Sequence, residues 1–193
     1  MENRENQELI QVKKTGGQTR GLAVTALLLA IGVILRLVSP SIAGITPNWL
    51  IAMYCLAILI VRPSVRQAVG VGIVAGVVCM VTSKAIFPYA NLVSEPVGAL
   101  ACVLVAGLTQ RLKVFGLTLQ PAVSTFIGTL ASGLVFVTVT KMAMNIPLQV
   151  YLYGMMPVVF TVGAINCVVA QVLYFPAARL FGEKPAAVKE EQI

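Results

Sequence analysis

Lys84 and Glu95 stand eleven positions apart in the segment Ser83–Pro96, SKAIFPYANLVSEP. An ammonium and a carboxylate with an amide, Asn91, between them are the groups that grip a zwitterion. The acid takes the ligand's ammonium, the base takes its carboxylate, and the amide orients either one. The other six acidic residues, Glu2, Glu5, Glu8, Glu183, Glu190 and Glu191, lie in the two ends of the chain. Glu95 is therefore the one carboxylate inside the apolar body. Catalysis is poorly served by such a set. The chain has no histidine, and general acid–base or nucleophilic chemistry needs a base or a second acid within reach. Cys55, Cys79, Cys102 and Cys167 are scattered singly, which suits small core residues better than metal ligands. We expect no enzyme and no metal or other cofactor in this chain. It also lacks a Gly-x-x-x-x-Gly-Lys-Ser/Thr phosphate loop, so any ATP must be hydrolysed by other subunits.

The elements that position these groups follow from composition. Of 193 residues, 58% are hydrophobic and 11% charged, and mean hydropathy is +0.91. Soluble domains carry about 25% charged residues, so lipid rather than water surrounds most of this one. The net charge of +7 does not point to nucleic acid, because the basic residues form short clusters between apolar runs rather than one stripe. Six apolar runs mark helices: Gly21–Val38, Asn48–Val61, Gln67–Thr82, Pro96–Gln110, Pro121–Lys141 and Tyr151–Ala178. The fold class is all-α, a polytopic membrane protein with six transmembrane helices. A span needs about 20 residues, so the second and fourth runs are short, and Pro157 should kink the last or set off residues 148–156 as a connector.

Charge asymmetry orients the bundle. With the N-terminus inside, Arg4, Lys13, Lys14, Arg20, Arg62, Arg66, Arg111, Lys113, Arg179, Lys184 and Lys189 are cytoplasmic, and only Arg36, Lys84 and Lys141 lie near the other face. That bias is the positive-inside pattern. It predicts a multi-pass protein of the cell (plasma) membrane with both termini cytoplasmic. Residues 1–20 read as a polar, disordered tail, 21–180 as the membrane domain and 181–193 as a charged tail.

Arg36, Ser39, Asn48, Lys84, Asn91, Ser94, Glu95, Lys141 and Asn145 then gather toward the outer ends of helices, with Asn166 and Gln171 inside the sixth. Two readings of Glu95 stay open. It pairs with Lys84, Arg36 or Lys141 and caps the fourth helix, or it helps line a pocket for a small molecule carrying both charges. Phe87, Tyr89, Trp49, Tyr54 and Phe160 offer an aromatic wall. The uncharged loop Ser39–Pro47, SPSIAGITP, is expected to fold over the pocket as a lid. Three small-xxx-small pairs, Ala26/Ala30, Gly72/Gly76 and Gly128/Ser132, allow close helix approach, either within the bundle or to a partner.

The run GITPNWLIAMYCLAILIVRPSVRQAVGVGIVAGVVCMVTS (Gly44–Ser83) resembles the second and third helices of the tryptophan-transporter branch of energy-coupling-factor (ECF) S components. NLVSEPVGAL (Asn91–Leu100), STFIGTLASGLVFV (Ser124–Val137) and GAINCVVAQVLYFP (Gly163–Pro176) fit the same branch. The resemblance covers about residues 21–180. It implies an S-component-like bundle that captures a small amino acid-like substrate, tryptophan foremost, and delivers it inward by docking on an ATP-driven module. The partners implied are an ECF T component and two ATPase subunits, besides the substrate and the bilayer. Ala26 and Ala30 match the family's docking pair on the first helix. The substrate contacts we expect are Asn48, Trp49, Tyr89, Asn91, Glu95, Lys141 and Asn166. An S component for a vitamin or another aromatic or indole-like compound, and a self-contained secondary transporter, remain as alternatives.

Overall fold

A computed structural model describes residues 2–39, 48–114 and 117–181, with side chains from Gln18 onward except Lys113 and Val114. Six α-helices appear in chain order: α1 Glu2–Val38, α2 Trp49–Val61, α3 Val65–Thr82, α4 Asn91–Leu108, α5 Gln120–Met144 and α6 Met156–Phe181. Five segments are long and apolar enough to cross a membrane, and α2 is shorter. The chain is an all-α polytopic membrane protein. Two pieces of local chemistry set the turn between α2 and α3. Arg62 adopts the left-handed conformation (φ 50°) and returns its N–H to Ile58, and Ser64 and Gln67 then form a reciprocal capping box.

The short helix is the middle of the bundle. At 13 residues α2 spans about 20 Å at ~1.5 Å per residue. Every residue from Leu50 to Leu59 is buried, and α2 touches each of the other five helices. A helix apolar on all sides belongs inside, and one shielded by protein need not match the thickness of the lipid. Gly32 of α1 makes room for it, because a Cβ there would lie 3.0 Å from the Leu50 Cα.

Helix starts and ends differ from the sequence expectation in three places. The polar segment before Gly21 continues α1 as helix back to Glu2. A π-helical turn, Val150–Met155, leads directly into α6, so Pro157 follows a helical turn in which Met156 donates to the Tyr151 carbonyl, and widened turns of this kind are one way a helix accommodates a proline. Most consequential, α4 begins at Asn91 after a 3-10 turn over Pro88–Ala90. Glu95 and Pro96 therefore lie a full turn inside the helix instead of before its start. The close approach of α3 holds that turn in place. A Cβ on Gly72 would fall 2.7 Å from the Pro96 Cα, and one on Gly76 would fall 2.8 Å from the Asn91 carbonyl oxygen. The Gly72/Gly76 pair thus packs within the bundle, as does Gly128/Ser132, whose two residues are both buried.

At the opposite end, the two-residue strands β1 (Lys113–Val114) and β2 (Leu117–Thr118) pair antiparallel and lead into α5. Gln171 of α6 binds this corner twice, accepting from the Ala122 N–H (3.1 Å) and donating to the Thr118 carbonyl (2.9 Å). Gln171→Leu would strand a helix-start donor and a carbonyl, each worth about 1–3 kcal/mol when buried unpaired. A lower melting temperature in detergent, with unchanged ligand preference, is the expected result.

Candidate functional site

The ends of α1, α3 and α5 and the starts of α2, α4 and α6 meet around one cavity of about 330 Å³, at the small end of the range for ligand sites. Two kinds of wall enclose it. Phe136 of α5, Ile146 and Val150 of the connector, and Met155, Val158, Val159 and Val162 make an apolar side. Arg36, Asn48, Asn91 and Glu95 make a polar corner, continued along α5 by Thr129, Ser132 and Thr140. Lys84, with Ser83, Ala85 and Ile86, lines the rim and is itself exposed.

Each polar group arrives by the phase of its helix. On α5 the lining residues 129, 132, 133, 136 and 140 recur every three or four positions, one face of a helix. Lys141 falls one residue beyond that face and does not line the cavity. Asn48 caps the start of α2, and its Nδ2 donates to the Glu95 Oε1 at 2.6 Å. Glu95 is 1% exposed, and its Oε2 has no hydrogen-bond partner. The Tyr54 and Ser132 hydroxyls also face this carboxylate, and Arg36 is the cation whose field reaches it. Glu95 makes no ion pair with Lys84 or Lys141 among the described residues, so the pairing considered with those two lysines is replaced by the bond to Asn48. Asn91 is buried at the cavity wall and donates to the Pro88 carbonyl at 2.7 Å, bracing the turn before α4.

The remaining expected contacts have other surroundings. Trp49 is half-buried, and its Nε1 donates to the Ser39 Oγ at 2.6 Å. That bond ties the end of α1 to the start of α2. Tyr89 is 63% exposed and rests against the Phe87 ring at 5.6 Å, away from the hollow. Phe160 is half exposed on the outside of α6, and Tyr54 is buried in the core. The ring that does line the cavity is Phe136. Asn166 sits behind the wall, wholly buried, and its Nδ2 donates to the Asn48 carbonyl (3.2 Å) and to the Thr129 Oγ1 (3.3 Å). It positions two lining residues. The expected lid lies, apart from Ser39, outside the described residues.

Sequence reasoning placed Arg36 in the outer cluster and passed over it as a contact. Only 6% exposed and lining the cavity, it is the buried cation of the site. Its signal was an arginine within an otherwise apolar span, a position that membrane helices fill at high cost.

A bundle that crosses the membrane and keeps a solute-sized hollow with charged groups in a corner belongs among membrane transport proteins. A family model described as "Tryptophan transporter TrpP" matches residues 18–180, and the chain belongs to that family. It is 30% identical over 134 residues to a "Probable tryptophan transport protein" of Bacillus subtilis (strain 168), covering 67% of this chain and 74% of that protein. It is 29% identical over 167 residues to a protein of the same description from Clostridium perfringens (strain 13 / Type A), covering 81% and 90%. No solved structure matches.

Proposed function

We propose that this protein is the substrate-binding subunit, an S component, of an energy-coupling-factor transporter that imports tryptophan across the plasma membrane. The observation that carries the reading is the cavity with an apolar wall and a buried polar corner of Glu95, Asn48 and Arg36. A tryptophan side chain suits the first and its charged head group suits the second. Both relatives named above are described as tryptophan transport proteins. The cavity lies at the helix ends opposite Arg62, Arg66, Arg111 and Arg179. With those cations cytoplasmic, both termini are inside and the cavity faces outward.

The chain binds and delivers the solute and uses no cofactor of its own. ATP is hydrolysed by two partner ATPases, coupled through a T component that docks on α1. Ala26 and Ala30 are exposed there, while Gly72/Gly76 of α3 and Gly128/Ser132 of α5 are taken up by internal packing. A thermal-shift measurement on the purified protein tests the substrate. Tryptophan at about a hundred times its Kd is expected to stabilise the fold by ~2.7 kcal/mol. An unchanged melt with tryptophan and its ring-substituted analogues, together with a shift by a vitamin, would assign the cavity to another ligand.

A further inference from the structure

Arg36 and Glu95 bring opposite charges into one buried corner and do not pair. A chain of three hydrogen bonds through four helices stands between them. The Arg36 Nη1 donates to the Cys79 Sγ (3.3 Å), the Cys79 thiol to the Asn48 Oδ1 (3.5 Å), and the Asn48 Nδ2 to the Glu95 Oε1 (2.6 Å). Each end of the chain is left with one orphan. The Arg36 Nε and the Glu95 Oε2 are buried and have no partner, and both residues line the cavity. A direct ion pair would have satisfied both atoms at once. Leaving a charged donor and a charged acceptor unmet in a membrane interior is costly, so the arrangement makes sense where a ligand supplies both partners.

We propose that Cys79 and Asn48 act as spacers that hold Arg36 and Glu95 apart, so that the head group of a free α-amino acid bridges them. The ligand's ammonium sits on the Glu95 Oε2 and its carboxylate on the Arg36 Nε. The inference rests on the tryptophan reading of the cavity and narrows it. The substrate must carry both head-group charges and an uncharged side chain that fits among Phe136, Ile146, Met155, Val158, Val159 and Val162. Lys84 also faces the cavity, but from the solvated rim, where its field is screened. It is not the carboxylate's partner.

The experiment is a binding panel on the full-length purified protein with L-tryptophan, tryptamine, which lacks the carboxylate, and indole-3-propionate, which lacks the ammonium. The unaltered protein is expected to prefer tryptophan to both by tenfold or more. Arg36→Gln should bring tryptophan down to the level of tryptamine and leave tryptamine unchanged. Glu95→Gln should bring it down to indole-3-propionate. Asn48→Ala or Cys79→Ala lets the two charges meet and should abolish the preference, Cys79→Ser should restore it, and Lys84→Gln should leave it intact. Equal binding of all three ligands by the unaltered protein, or an equal loss of all three in Arg36→Gln, overturns the split-pair arrangement while the indole site stands. Should no indole compound bind the unaltered protein, the tryptophan reading falls, and this inference with it.

Discussion

Gly98→Ala is expected to prevent the outer half of the bundle from assembling, while Gly107→Ala, nine residues further along the same helix, is expected to stabilise the protein slightly. The added atom is the same methyl group in both. At position 98 it would lie 2.5 Å from the Tyr54 hydroxyl oxygen, 2.7 Å from the Ser132 Cβ and 3.0 Å from the Gly128 carbonyl oxygen. Those three atoms belong to α2 and α5, and two of them cannot move without shifting a helix. At position 107 nothing lies within 4 Å. Overpacking a core costs roughly 1–3 kcal/mol and sometimes more, and here it falls on Ser132, which lines the cavity. Replacing an unconstrained helical glycine by alanine gains roughly 0.8–1.0 kcal/mol. Size-exclusion profiles and melting curves in detergent would measure the contrast. Equal behaviour of the two variants would mean that α4 and α5 do not approach as closely as described.

The second large effect concerns binding without transport. Ala26→Trp and Ala30→Trp place a bulky ring on an exposed face of α1, where nothing inside the bundle has to give way. Binding of tryptophan by the purified protein is expected to stay within twofold. If α1 is the docking face as proposed, uptake by cells carrying the full transporter is expected to fall to background, because a helix face packed closely on a partner tolerates no such bulk. Val168→Trp, also exposed but on α6 (61%), serves as the control and should transport normally. Uptake unchanged in both alanine variants would remove α1 as the docking face. Loss of binding as well would show that the ring disturbs the fold.

Much of the membrane architecture was legible because it follows from composition over long windows. Apolar runs, interrupting charges and turn residues located all six helices, and the Arg62–Gln67 turn carries its capping residues in plain order. Helix boundaries were less legible where proline was involved. Pro96 suggested a helix start, yet Pro88 and the close packing of Gly72 and Gly76 let α4 begin a turn earlier. That carried Glu95 from a cap position into the interior. A propensity rule sees only the chain around Pro96. The packing that overrides it comes from α3, whose glycines precede Pro96 by 24 and 20 positions.

The sequence by itself determined that the protein lies in a membrane, which helix ends hold its polar residues, and that one internal carboxylate needs a partner. These are matters of residue type and order, and the cost of burying charge in lipid applies whatever the packing. Only the tertiary structure decided which polar residues share a wall. Lys141 and Arg36 were equivalent as outer cations in the sequence, but helix phase turns one away from the hollow and the other into it. Asn166, from the sixth helix, meets the Asn48 carbonyl and the Thr129 hydroxyl behind the wall. Trp49, next to Asn48, turned toward the end of α1. A side chain's neighbours across a bundle depend on the rotation of several helices together, and no single segment encodes that rotation.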